Sequence, residues 1–344
     1  MNMKFNKIAF SIIAISLSVV DISCMEGQWI CKKTIILPNK VSCVSLDENV
    51  KKVAFVLPGE MDIQSLQSEE IQRVSVKASY ISFDNSSNHL AFVIKDNNLK
   101  IIDLTNKVIT EALPQTIGEN YTAIKCINGR ECWVGSDKGN LWHVKVDQYP
   151  VLLRHYNITD YPSDPTCSVV ACGEKKNLYA TLMIDALGGN WMFAGDIKDM
   201  KEGWADGNMY QPTDVCFNKD GSLVAFASGS IVLVYVTAIL EKSNQVRHEN
   251  SMAHNDTIKK GLEGLYKACI NYPINAIVKK VVFSDNNQQI FAGLSDEKVY
   301  CSEVNTDAKP AAIVNFGEAI ASLAFNDVVL AVAGFKKVCL YSQQ

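Results

Sequence analysis

His248 and Glu249 open the pattern H-E-x-x-H, in which two imidazoles one helical turn apart hold zinc while the glutamate acts as general base. The second imidazole would fall at position 252, which is Met252, so the metal pair is incomplete. His89, His143 and His155 share no local motif and read as surface or satisfied polar residues. Eleven cysteines invite zinc or disulfide chemistry. No C-x-x-C occurs, however, and the nearest pairs, Cys126/Cys132 and Cys167/Cys172, lack the two-by-two spacing of a zinc site. A serine nucleophile needs the sharp G-x-S-x-G turn, and a phosphate cradle needs a glycine-rich loop ending in Lys-Ser/Thr; the chain has neither. Asp137, Asp185, Asp220, Asp285 and Asp296 lie in turn-like stretches, where a carboxylate holds backbone N–H groups. The expectation is a chain that is not an enzyme and carries no cofactor and no metal. The alternative is an enzyme or small-ligand binder, with a polar or metal site that the fold assembles at a central axis.

The elements that position these residues follow from composition and repetition. The 344 residues are 48% hydrophobic and 20% charged, which excludes a disordered tail, a collagen and a polytopic membrane protein. With 33 Lys+Arg against 37 Asp+Glu, the net charge of −4 argues against a nucleic-acid surface. Lys4 and Lys7 precede an uncharged apolar run, Ile8–Val20, the form of a secretory signal over residues 1–24. A permanent span needs about 20 apolar residues, so no stable membrane span is expected once the signal is removed. Ser23-Cys24 resembles the end of a bacterial lipobox, but Asp21 stands where that motif takes an apolar residue, which weighs against a lipid anchor. The address is secreted or periplasmic.

Searched against itself, the chain repeats a unit of short apolar strands and polar turns. Residues 80–104, 214–236 and 280–304 are clear copies, and 322–342 is a fourth with a shortened first turn. Residues 41–66, 123–146 and 168–197 are weaker copies. The bulky residue closing each first strand falls at Leu46, Phe83, Cys126, Cys172, Phe217, Phe283 and Phe325, at intervals of 37, 43, 46, 45, 66 and 42. Five of the six lie near the ~40–45 residue period of four-stranded propeller blades. Such a unit cannot bury both faces alone, so copies must stack around an axis.

Over residues 28–344 the chain resembles a WD40-type β-propeller. Gly135–Trp142 (GSDKGNLW) is similar to that family's turn between second and third strands, and Lys100–Leu104 (KIIDL) to its third strand. Asp103 and Asp196 stand at the acidic position, while no Trp-Asp or Gly-His dipeptide occurs. The resemblance implies an all-β, seven-bladed propeller of four-stranded blades that serves as a scaffold for a protein or peptide partner, without catalysis.

Two features refine this fold. Copy seven ends after three strands, and a spare strand, Trp29–Pro38, precedes copy one. Added as the fourth strand of the last blade, it closes the ring and leaves no open edge. Cys31 and Cys339 then lie on adjacent antiparallel strands, either as two buried thiols or as a disulfide across the seam. Residues 238–273 form an insertion between blades five and six. Its apolar residues Ile258, Leu262, Leu265, Tyr266, Cys269 and Ile270 follow a helical period and predict a helix. That helix either covers the propeller's face or docks a partner through Ile258, Leu262, Leu265 and Tyr266.

Overall fold

The computed structural model describes residues 28–37, 41–46, 52–57, 60–65, 71–74, 78–83, 89–94, 98–103, 108–113, 119–128, 131–145, 148–155, 168–175, 178–184, 190–196, 204–206, 211–237, 266–284, 286–304, 309–326 and 328–343. Among them, the strands form seven four-stranded antiparallel sheets. Sheet 1 runs Cys43–Leu46, Lys52–Leu57, Glu60–Ser65, Ile71–Val74, and sheet 2 Ala78–Phe83, His89–Ile94, Leu99–Asp103, Val108–Leu113. Sheet 3 runs Tyr121–Asn128, Glu131–Ser136, Asn140–Lys145, Val151–His155, and sheet 4 Ser168–Lys175, Leu178–Ile184, Asn190–Asp196, Trp204–Asp206. Sheet 5 runs Pro212–Phe217, Leu223–Ser228, Ile231–Val236, Tyr266–Asn271, and sheet 6 Val278–Phe283, Gln289–Leu294, Lys298–Glu303, Ala311–Asn315. Sheet 7 combines Ser322–Asn326, Val329–Ala333 and Lys337–Gln343 with Trp29–Ile36 from the other end of the chain.

First strands of successive sheets lie side by side from sheet 1 to sheet 7, and that of sheet 7 lies beside that of sheet 1. This is the sheet arrangement of a β-propeller, all-β among the described residues. The N-terminal strand takes the fourth place in the last sheet.

Second strands carry the densest apolar runs because their sheets are covered on both sides. Lys52–Leu57 (KVAFVL), Leu223–Ser228 (LVAFAS) and Gln289–Leu294 (QIFAGL) are buried along nearly their whole length. Alternate residues serve opposite interfaces: Ala225 and Ala227 pack toward sheet 6 with Val281 and Ile290, whereas Val224 and Phe226 pack toward sheet 4 with Ala180 and Leu182. Sheets 6 and 7 meet through Phe291, Val299, Leu323 and Leu330, and sheets 7 and 1 through Val338, Leu340, Val53 and Phe55. Gly293, in a strand of sheet 6, lets the connection to sheet 7 approach closely, since a Cβ there would stand 2.8 Å from Ile320 Cγ2.

The helical expectation for 238–273 is corrected over its C-terminal part. Tyr266–Asn271 is a strand, paired with Ile231–Val236 as the outer edge of sheet 5. Its burial alternates: Ala268 and Ile270 are buried while Lys267 and Asn271 are exposed. A short apolar run satisfies either period, and an unpaired strand edge beside it selects the extended one. Ile258, Leu262 and Leu265 lie outside the described residues, as does the signal segment 1–24.

Candidate functional site

Three groups of side chains stand out, beginning at the closing sheet. Trp29–Ile36 pairs with Lys337–Gln343, Cys31 lying opposite Tyr341 and Thr34 opposite Cys339. The register shifts between Cys31 and Lys33, a bulge that places Lys32 as an extra residue. Cys31 and Thr34 are three apart and would point to opposite faces of a regular strand. The extra residue brings both to one side. The Thr34 hydroxyl consequently lies 3.3 Å from Cys31 Sγ and 3.5 Å from Cys339 Sγ. Both cysteines are free thiols; Cys31 is exposed and Cys339 buried. Burial pushes the Cys339 thiol up, and the neighbouring Cys31 adds to the shift.

The second group lies where second-to-third-strand turns meet the connections between sheets. In sheet 3, the Asp137 carboxylate accepts from the Asn120 backbone N–H at 2.8 Å and from its side-chain amide at 2.5 Å. Buried Glu119 accepts from Asn140 Nδ2 at 3.0 Å and Trp142 Nε1 at 3.1 Å. Gly139, at φ 70°, closes the turn in a conformation that favours glycine. In sheet 6, Ser295 Oγ accepts from the Ile277 N–H at 2.8 Å, and Tyr300 donates to Asp296 at 2.7 Å. Burial, with that bond to Asp296, holds the Tyr300 hydroxyl up at about 12. In sheet 7, Lys337 Nζ donates to the Phe316 carbonyl at 2.6 Å. Polar groups at this end are thus spent on tying loops down, while Ile36, Ile274 and Phe335 stand exposed among them, Ile274 at 92%.

The third group lies on the inner strands. Asp214 of sheet 5 accepts from Lys280 Nζ of sheet 6 at 2.8 Å and from the Val281 N–H at 3.0 Å. Burial pushes the neighbouring Cys216 thiol up, Asp214 adding to the shift and the ammonium groups of Lys125 and Lys280 opposing it. Lys125 belongs to sheet 3, so its charge acts past sheet 4 on a residue of sheet 5. It is exposed on an innermost strand.

The structure brings together the predicted pair Cys31 and Cys339. It removes Tyr266 from the docking helix and places it in a strand. Asp220 and Asp296 hold turn backbone, as their positions imply, Asp220 accepting from the Ser222 N–H at 2.8 Å, whereas Asp137 holds the connection at Asn120, and Asp185 and Asp285 lie outside the described residues. His143 is not solitary: its Nε2 lies 3.0 Å from Glu131, which also meets Lys145 at 3.2 Å. Asp214–Lys280 and the Glu119 cluster escape sequence reasoning, because their partners come from different sheets or from an interblade connection. The signal available was an acid at the start of an apolar strand, in DVCF, where an unpaired carboxylate would be costly. No group of three or more metal-ligating side chains occurs among the described residues.

The sheet arrangement and the inner-strand geometry define a propeller, and the fold alone carries that class. No protein-family model matches the chain, and no curated protein matches it.

Proposed function

We propose that this chain is an exported, non-catalytic propeller of WD40 type, whose seven sheets close one seven-bladed ring and whose loop ends bind a protein or peptide. The observation that supports this reading is the contrast at one end of the sheets. There the loops are pinned by Asn120–Asp137, Ile277–Ser295 and Lys337–Phe316, and Ile274 and Phe335 stand exposed close to the last two ties, with exposed Ile36 paired opposite Lys337. Apolar surface on rigid loops can be covered by a partner with little ordering cost. Export is supported by Lys4, Lys7 and the apolar run Ile8–Val20. No helix among the described residues is long and apolar enough to cross a membrane.

The test is quantitative capture by the immobilised full chain, compared with an Ile36→Ser, Ile274→Ser, Phe335→Ser triple variant checked for folding by circular dichroism. A roughly tenfold loss of one partner's binding supports the reading. Equal capture by both proteins overturns it. Mass analysis of the mature N-terminus tests export, with a start near residue 25 expected. A second reading, a small ligand held at the axis, draws on Lys125, exposed on an innermost strand. It predicts an anion-dependent rise in the unfolding midpoint that Lys125→Ala abolishes.

A further inference from the structure

Sheet 7 is the one sheet whose strands come from both ends of the chain, and it carries two thiols at that junction. Cys339 and Tyr341 are two apart on one strand and therefore share a face; Cys31 sits opposite Tyr341 and joins them there. Cys31 and Cys339 are diagonal neighbours across the pairing, a separation that on a regular ladder exceeds the reach of a disulfide, so the bridge depends on the bulge between them. The bulge at Lys32 draws Cys31 toward Thr34, and one hydroxyl touches both sulfurs. The two thiols differ in access: solvent reaches Cys31, while Cys339 is packed with Trp29, Val332 and Phe316 against sheet 6.

From this geometry we infer that Cys31 and Cys339 form an oxidisable dithiol that locks the N-terminal strand onto the last sheet, with a small-molecule disulfide as oxidant. The exposed Cys31 thiolate attacks one sulfur of that disulfide, forming a mixed disulfide and expelling one thiolate. Cys339, deprotonated, then attacks Cys31 Sγ, forming the protein disulfide and expelling the second thiolate. The two protein thiols lose two protons and two electrons, and the oxidant takes them up as two small thiols. Burial raises the Cys339 thiol, which assigns first attack to Cys31 and resolution to Cys339. The Thr34 hydroxyl, shared between the sulfurs, steadies the resolving thiolate. The bond would close a loop spanning nearly the whole chain, the case in which a crosslink restrains the unfolded state most.

The experiment incubates the full chain with oxidised glutathione, then digests it without reduction and maps linked peptides by mass spectrometry. A Cys31–Cys339 linked peptide is expected, with a rise of about 5–10 °C in the unfolding midpoint. Both signals should vanish in Cys31→Ser, whose exposed site tolerates the change, and Thr34→Val should slow linkage without preventing it. A stable glutathione adduct on Cys31 with no linked peptide would overturn the inference. So would a linked peptide that leaves the midpoint unchanged.

Discussion

Sheets 6 and 7 have the same four-stranded plan and are held by different means. Sheet 6 is a continuous meander from Val278 to Asn315, and its turns are fastened by side chains a few residues away, such as Tyr300 to Asp296. Sheet 7 obtains its outer strand from the far end of the chain, so its side-chain link, Thr34 to Cys339, spans 305 positions. Closing so long a loop costs conformational entropy that local turns do not incur. The same strand arrangement is reached by different routes: the last sheet depends on one docking event, whereas sheet 6 is assembled from consecutive segments.

Removing residues 28–37 should be the most damaging change, because it strips Ile35 and Leu37 from the packing between sheets 7 and 1. Two buried aliphatic side chains correspond to about 4 kcal/mol, before the lost strand hydrogen bonds are counted. Urea unfolding of the truncated protein should show that loss, and hydrogen exchange should rise first in Lys337–Gln343. Protection lost equally in sheet 6 would remove the distinction between the two.

Asp214→Ala tests the ordinary seam between sheets 5 and 6. It leaves Lys280 and the Val281 N–H without their carboxylate, and a loss of about 2–3 kcal/mol is expected in the same unfolding measurement. Tyr272→Phe should move stability the other way at that seam. The Tyr272 hydroxyl is buried without a hydrogen-bond partner among the described residues, so its removal should raise stability by about 1 kcal/mol.

The alkaline limb sharpens the comparison further. Tyr300 is held protonated up to about 12 in the folded state. Its stabilisation is complete below the unfolded value near 10 and declines as pH rises from there to about 12. Tyr300→Phe should flatten the loss over that window, read from urea midpoints at a series of pH values. The smallest effect belongs to Glu131 on sheet 3. Burial raises its pKa, but bonds from Lys145 and His143 outweigh that and leave it lowered. Its contribution is present above the ordinary carboxylate value and fades as pH falls through the depressed one. Glu131→Gln should cost only a few tenths of a kcal/mol near neutral pH, as for other partly exposed pairs.

Much of the fold was legible because short apolar strands and polar turns recur near a fixed period, and stacking is the only way to cover both faces of such units. The strand at Trp29 was legible as a partner for the three-stranded seventh copy for the same reason. The candidate site was legible only as a pair of cysteines. Tyr266 and Ile270 fit a helical period as well as an alternating one, so their strand was not legible. Asp214 met its partner only because sheets 5 and 6 adjoin.

The sequence by itself determined most of the inner strands and the turns between them, since these depend on local alternation, but not the outer strand Tyr266–Asn271. Only the tertiary structure decided which residues face each other across the seams. A single extra residue, Lys32, reverses the face of Cys31 relative to Thr34 and puts both thiols beside one hydroxyl. Side-chain direction in a strand has a period of two, so one residue of register changes every contact, and the packing of whole sheets sets that register.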